Sequence, residues 1–382
     1  MFTEKLYENN SYIRCFEAVV TDCVLCGSNY KIVLDRTAFF PEGGGQSSDT
    51  GFIDGIKVLD VQEKDGTVYH YAESPVDIGK KVSAEIDWDR RFSNMQNHSG
   101  EHIVSGIIHT LFGYNNVGFH LGGQNVTLDV DGVLSDEDIY KVEREANAAV
   151  FSNVEITVSF PSEEELKTLD YRSKLDFTEN VRIVTIGNVD RCACCAPHVA
   201  RTGEIGIIKI VNYFPHRKGT RVEMLCGFKA YEDYRLKDSL NSQIMKLLAS
   251  PSEQTAEAVQ RNLEKTAQQT AEIEALKEEL ALAKLSVEDI NGISFASLPG
   301  ASFNELISCV NNINENSGGI SLVVSEDNDG CIFVLASKDC DIQPFLTKLR
   351  SELKAKGGGR NNCAQGKIPC TAEEIKEFIC KF

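Results

Sequence analysis

The spacing of apolar residues changes repeatedly along the chain, and each change suggests a boundary. Between residues 11 and 86, short runs such as Tyr30–Leu34, Ile56–Val61, Thr67–Tyr71 and Val82–Ile86 are separated by Gly, Asp and Asn turns, Asp65-Gly66 among them. Short strands with such punctuation predict a small antiparallel barrel or sandwich over residues 1–86. At Asp87 the period becomes helical: Met95, His98, His102, Ile107 and Leu111 recur at turn spacing, and Gly113 is a natural stop. A second helix is predicted from Ser135, which caps it with Asp138 three residues on, and its stripe is Ile139, Val142, Ala146 and Val150. Strands at Val154–Phe160, Val181–Ile186, Ile205–Val211 and Arg221–Cys226 complete an α+β block over 87–228.

From Tyr231 to Leu285 the chain turns to Ala, Glu, Lys, Gln and Leu. Leu236, Leu240, Ile244 and Leu247 form one stripe, broken at Pro251, and Val259, Leu263, Ile273 and Leu280 form another. That pattern predicts a helical linker over 229–287, read equally as a solvated spacer or as a homodimer contact. The last block, 288–382, returns to α/β alternation, with strands at Ile320–Val324 and Ile332–Leu335 and a helix at Pro344–Leu353. Its run Gly357-Gly358-Gly359-Arg360 reads as a flexible loop. The fold class expected is therefore multidomain α+β.

Composition narrows the function. With 382 residues, 42% apolar and 25% charged, the chain is long enough for several buried cores and has the balance of a soluble protein. The formal net charge of −18 excludes a globally cationic surface, so any polyanion must meet a local basic patch. Candidate patches are Lys80-Lys81, Arg90-Arg91, His216-Arg217-Lys218 with Arg221, and Lys354, Lys356, Arg360 with Lys367. No run approaches a membrane span and no signal peptide precedes the first strand, so a cytoplasmic location is expected. Thirteen cysteines, an odd number spread through the chain, then read as reduced thiols.

The chemistry is carried by two pairs. His98-Ser99-Gly100-Glu101-His102 puts two imidazoles one turn apart on a helix face, and Cys194-Cys195-Ala196-Pro197-His198 adds a thiolate and a third imidazole. Each pair alone is a weak signal; together they make an N/S donor set suited to zinc. Either Cys192 or Cys195 could compete with Cys194 for the metal. Glu101 stands directly before His102, about 100° around the helix from it, which breaks the metalloprotease pattern H-E-x-x-H. Cys23 and Cys26 have knuckle spacing without a matching second pair, and are expected to be buried structural thiols.

At these residues the chain resembles the AlaX family of alanyl-tRNA editing proteins, and is similar to the editing domain of alanyl-tRNA synthetase. Thr37-Ala38-Phe39-Phe40-Pro41-Glu42-Gly43-Gly44-Gly45-Gln46 resembles the glycine-rich motif of the family's N-terminal barrel. His98 and His102 match its H-x-x-x-H, Cys194 and His198 its C-x-x-x-H, and Arg201-Thr202-Gly203-Glu204-Ile205-Gly206 the strand entry that follows. Gly357–Arg360 with Ala364-Gln365-Gly366 is similar to the glycine-rich signature of the DHH-associated RNA-binding domain. The likeness covers nearly the whole chain, as in the family's long form. Two departures touch the ligand surroundings: Ala196-Pro197 replaces the usual Gly and Thr, and Ser-Gly-Glu replaces Thr-Ala-x between the histidines.

The resemblance implies a zinc-dependent trans-editing hydrolase, without an aminoacylation domain, acting on tRNA for alanine mischarged with serine or glycine. His98, His102, Cys194 and His198 would hold Zn2+, either as a Lewis acid or as a scaffold. Thr37 is the candidate for reading the serine hydroxyl, because a positioned hydroxyl discriminates better than an apolar wall. It reads equally as a strand-end turn cap. Gly43, Gly44 and Gly45 would let the backbone approach the terminal adenosine, with Gln46 as a side-chain donor, and Arg360 would contact the tRNA body. A zinc-stabilised tRNA-binding protein without catalysis is the alternative.

Overall fold

The structure, a computed structural model, describes residues 2–123, 125–173, 181–360 and 362–382. It divides into two compact units, residues 1–241 and 242–382.

In the first unit, the strands Cys15–Cys26, Asn29–Leu34, Thr67–Ala72, Ile56–Lys64, Gly51–Ile53 and Lys81–Ile86 pair antiparallel in that spatial order and close into a barrel. Side chains alternate along each strand, so one set (Val20, Ile32, Val58, Val68, Val82) fills the interior with Phe39. The far end of Cys15–Cys26 lies outside that core. Cys26 is exposed and Cys23 partly so, which corrects the expectation of two buried thiols.

The helix Trp88–Phe112 follows directly. Asp87 caps it by accepting from the Arg90 N–H, and Gly113 ends it in the left-handed conformation at φ 73°. The helix Asp136–Phe151 begins with the capping box of Ser135 and Asp138. Both pack with a four-stranded antiparallel sheet, ordered Ile208–His216, Gly219–Cys226, Val126–Val130 and Asn116–His120. A three-stranded sheet of Ile156–Ser159, Ile183–Ile186 and Asp190–Ala193 joins them. Glycines set two of the close approaches. A Cβ on Gly100 would sit 2.3 Å from Cys226 Sγ, and one on Gly106 would sit 2.7 Å from the Val189 carbonyl oxygen and 2.8 Å from Asp190 Cβ. The strand carrying Asp190 can therefore lie against the helix carrying the histidines.

Arg91 ties the helix to the glycine-rich segment. It is fully buried, with Nε on both Asp49 carboxylate oxygens at 3.1 and 2.9 Å and Nη1 on the Ser11 carbonyl at 3.0 Å. That burial removes it from the candidate phosphate contacts, as the ion pairs of Lys80 with Asp54, Lys81 with Glu17 and Arg221 with Asp129 engage those side chains.

The second unit contains a six-stranded sheet ordered Glu288–Ile290, Ile293–Ser297, Ile320–Asp327, Gly330–Ser337, Cys363–Ile368 and Lys356–Arg360. Alternate residues serve two cores. Leu322, Val324, Phe333 and Leu335 pack with the helices Gln343–Glu352 and Ala372–Lys381, whereas Val323, Val334 and Ala336 face the helix Phe303–Asn316. The glycine run is not a loop but the edge strand Lys356–Arg360, paired antiparallel with Cys363–Ile368. Absent side chains are what permit this pairing, since a Cβ on Gly359 would lie 2.0 Å from the Cys363 carbonyl oxygen. Along the helix Thr255–Ala283, Leu263, Ile273, Leu276 and Leu280 are more than half exposed. Among the described residues no helix is long and apolar enough to cross a membrane.

Candidate metal centre

The two sequence pairs meet. One ligand atom from each of His98, His102, Cys194 and His198 lies within 4.8 Å of the other three. Helical spacing brings His98 and His102 to one face, with ring centroids 5.3 Å apart. The chain leaving the strand Asp190–Ala193 delivers Cys194, and the turn through Ala196 and Pro197 returns His198. The Arg182 guanidinium braces that turn by donating to the carbonyls of Cys194 and Ala196 at 2.8 and 2.9 Å.

The ring nitrogens show which face is free for a metal. His98 Nδ1 meets Gln46 Oε1 at 2.7 Å, His102 Nδ1 meets Asp190 Oδ2 at 3.1 Å, and His198 Nδ1 meets Ser99 Oγ at 3.0 Å. With each Nδ1 held by an oxygen, the Nε2 atoms turn inward, as orienting partners do for metal-bound histidines. His98 Nε2 and His198 Nε2 stand 3.5 and 3.4 Å from Cys194 Sγ. Donors on a tetrahedral ion at zinc bond lengths stand about 3.5 Å apart, so the residues fit a metal.

Charge favours the same arrangement. Burial alone would push the Cys194 thiol up, but His98, His198 and His102 around it hold it well below its ordinary value, as a ligating thiolate requires. Burial lowers His198 to about 3, which leaves it neutral and able to ligate. His102 runs the other way: burial would lower it, but the Asp190 carboxylate and Cys194 hold it well above its ordinary value, so a metal binding there must displace a proton.

His98, His102 and Cys194 line a cavity of about 830 Å³ whose wall also includes Gly44, Glu101, Asn116, Phe119 and Arg172. Gly43 and Gln46 exchange backbone hydrogen bonds at 3.0 Å across a turn with positive φ at Gly44 and Gly45. Gly45 is required there: a Cβ would reach the Phe119 carbonyl oxygen at 2.5 Å. Gln46 is buried, and its Nε2 finds no partner among the described residues. Its carboxamide thus faces a ligand histidine.

The other expected site residues are placed as follows. Thr37 lies inside the barrel, fully buried, with its hydroxyl 2.8 Å from His70 Nε2 and receiving the Phe39 N–H at 3.1 Å; it is not among the cavity's lining residues. Its hydrogen bonds are those of a turn cap, one of the two readings of this residue. Cys192 is set apart from the four, grouped instead with His102 and Asp190, and Cys195 Sγ lies where a Cβ on Gly44 would be 3.8 Å away. Arg360 ends the exposed edge strand of the second unit.

Sequence reasoning missed Asp190, Arg172 and Ser99. Asp190 receives His102 on one side and Arg172 Nε and Nη2 on the other, at 2.7 and 2.8 Å. Ser99 had the strongest signal available, being a polar residue between two ligand histidines.

A model described as tRNA synthetases class II (A) matches residues 9–90, and one described as Threonyl and Alanyl tRNA synthetase second additional domain matches residues 181–223. The alanine–tRNA ligase of Methanobrevibacter smithii is 29% identical over 99% of this chain, which spans 45% of that enzyme. The alanyl-tRNA editing protein Aarsd1 of Danio rerio is 26% identical, covering 94% of this chain and 92% of its own. The alanyl-tRNA editing protein AlaX-L of Pyrococcus horikoshii is 30% identical over 97% of this chain and 96% of its own. At that identity over almost the full length of both, the chain belongs to the alanyl-tRNA editing protein family.

Proposed function

We propose that the protein is a trans-editing hydrolase that cleaves the ester joining serine, with glycine as a second candidate, to the 3′ end of tRNA for alanine. The observation that carries this reading is the convergence of three oriented imidazoles and a thiolate, of which His98, His102 and Cys194 line a cavity sized for an aminoacylated adenosine. Zn2+ is the ion best matched to this N/S set, and when bound it supplies Lewis-acid polarisation of the ester carbonyl or of water. His98, His102, Cys194 and His198 would hold it. Gln46, Asp190 and Ser99 hold the rings, and the buried imidazoles keep bulk water from one side of the ester. Gly44 and Gly45 let the backbone approach the terminal adenosine. Because an aminoacyl ester is already activated, positioning it supplies much of the barrier reduction.

The domain assignment follows this reading: a barrel over 1–86, an editing domain over 87–228, a helical linker over 229–287 and a DHH-associated RNA-binding domain over 288–382. Lys356 and Arg360 on the exposed edge strand contact the tRNA body, the exposed stripe of Thr255–Ala283 pairs two copies, and the protein works in the cytoplasm. A scaffold zinc in a tRNA-binding protein without catalysis is the second reading. It is favoured by the count of four protein donors, since a catalytic zinc keeps one position open. His102→Ala separates the two. Loss of Ser-tRNA hydrolysis with tRNA binding intact supports editing; full hydrolysis by the variant at normal zinc content removes His102 from the site.

A further inference from the structure

Glu101 is the buried one of three acidic residues in the cavity wall, beside Glu8 and Asp170, and neither the metal group nor its orienting partners employ it. It stands three residues after His98 and one before His102, so its side chain leaves the helix about 60° from His98, on the flank away from His102. It is 3% exposed. Its Oε1 accepts from the Ser105 hydroxyl and from Asn116 Nδ2, each at 2.6 Å. Both donors are neutral. Among the described residues no donor is recorded on Oε2 and no cation forms an ion pair with Glu101. Arg172, which touches Ser105 Oγ at 3.3 Å, commits its Nε and Nη2 to Asp190. The structure thus fixes one carboxylate oxygen of a residue that lines the same cavity as His98 and His102. The nearby positive charge, the Arg172 guanidinium, acts on Glu101 without a direct ion pair and is paired to Asp190; a buried carboxylate so incompletely compensated is costly, and a cationic ligand group in contact with it would relieve that cost.

Resting on the editing reading above, we propose that Glu101 binds the α-ammonium group of the aminoacyl moiety and so makes the enzyme specific for free aminoacyl esters. The residues that would hold the metal and those that would read the amine then lie on adjacent arcs of one helix. The acyl carbon, bonded to the α-carbon, would be held between them. Ser105 and Asn116 fix the carboxylate's direction. This role does not distinguish serine from glycine, since both carry the same group. It distinguishes aminoacyl esters from hydroxyacyl and N-blocked esters on the same tRNA.

The test compares full-length, zinc-quantified wild type with Glu101→Gln, which keeps the shape and an acceptor for Ser105 and Asn116. The substrates are Ser-tRNA and the same tRNA after nitrous acid deamination, which replaces the α-amino group by hydroxyl. Taking the ratio of kcat/KM for the two esters in each protein, and then comparing the ratios, cancels their difference in intrinsic reactivity. Loss of a charge-assisted contact should lower the amine preference about 10- to 100-fold in Glu101→Gln, whereas a purely structural role would slow both esters alike. An unchanged ratio with Ser-tRNA hydrolysis intact in wild type overturns this assignment alone. If wild type hydrolyses neither ester, the editing reading falls with it. Should the variant fail to fold, wild-type binding of the non-hydrolysable 3′-amide-linked seryl adenosine and of its α-hydroxy counterpart decides. Tenfold tighter binding of the amine supports the assignment, and equal binding overturns it.

Discussion

Replacing Gly106 by alanine should damage the metal centre from a position that touches none of its ligands. In an ordinary helix interior this change stabilises by about 1 kcal/mol. Here the new Cβ would lie 2.7 Å from the Val189 carbonyl oxygen and 2.8 Å from Asp190 Cβ, with Asp190 Cγ at 3.1 Å. Carbon contacts settle at about 3.5–4.0 Å, so the strand must retreat by roughly 0.5–1 Å. The nearest atom is backbone, and no side-chain rotation relieves the clash. Overpacking of this kind costs about 1–3 kcal/mol, which leaves a net loss of about 0–2 kcal/mol after the helix gain. The larger effect falls on His102. Its 3.1 Å contact with Asp190 would open beyond hydrogen-bond range, and loss of such an orienting partner lowers metal affinity about 10- to 100-fold. Denaturant unfolding and chelator competition measure the two effects. A Gly106→Ala protein that is more stable by about 1 kcal/mol and binds zinc as wild type does would refute the close-approach argument.

Other consequences are cheaper to check. Thr37→Val should leave His70 Nε2 buried without its donor and cost about 1–3 kcal/mol, while the ratio of Ser-tRNA to Ala-tRNA hydrolysis stays constant; a shifted ratio would return Thr37 to the substrate site. Burial lowers His70 to about 4, below its unfolded value, so the unfolded chain binds the extra proton between these limits. Stability from this residue is then complete above about pH 6.5 and falls by about 3 kcal/mol as pH drops towards 4. His70→Gln should flatten that slope in acid denaturation, and an undiminished slope would assign the acid sensitivity to other groups.

Legibility in the sequence followed locality. The helix Trp88–Phe112 could be read because Asp87 and Gly113 act within a few residues, and because a 3.6 period places His98 and His102 together whatever else the chain does. Ser135 with Asp138 was legible for the same reason. Arg91 was misread because a basic pair in sequence says nothing about an Asp49 that meets it 42 residues away. The glycine run was misread because strand pairing with Cys363–Ile368 overrides glycine's preference for loops. Thr37 was ambiguous until His70 appeared beside it. Asp190 had no local pattern at all: it matters through the 88-residue separation from His102, which the Gly106 approach makes possible.

Incubating metal-quantified protein with Ser-tRNA and Ala-tRNA for the alanine acceptor, and following each deacylation, tests the central claim most directly. Rapid loss of serine, sparing of alanine and one zinc per chain are the predicted result. Binding of both tRNAs with neither ester cleaved, at full zinc content, would contradict it.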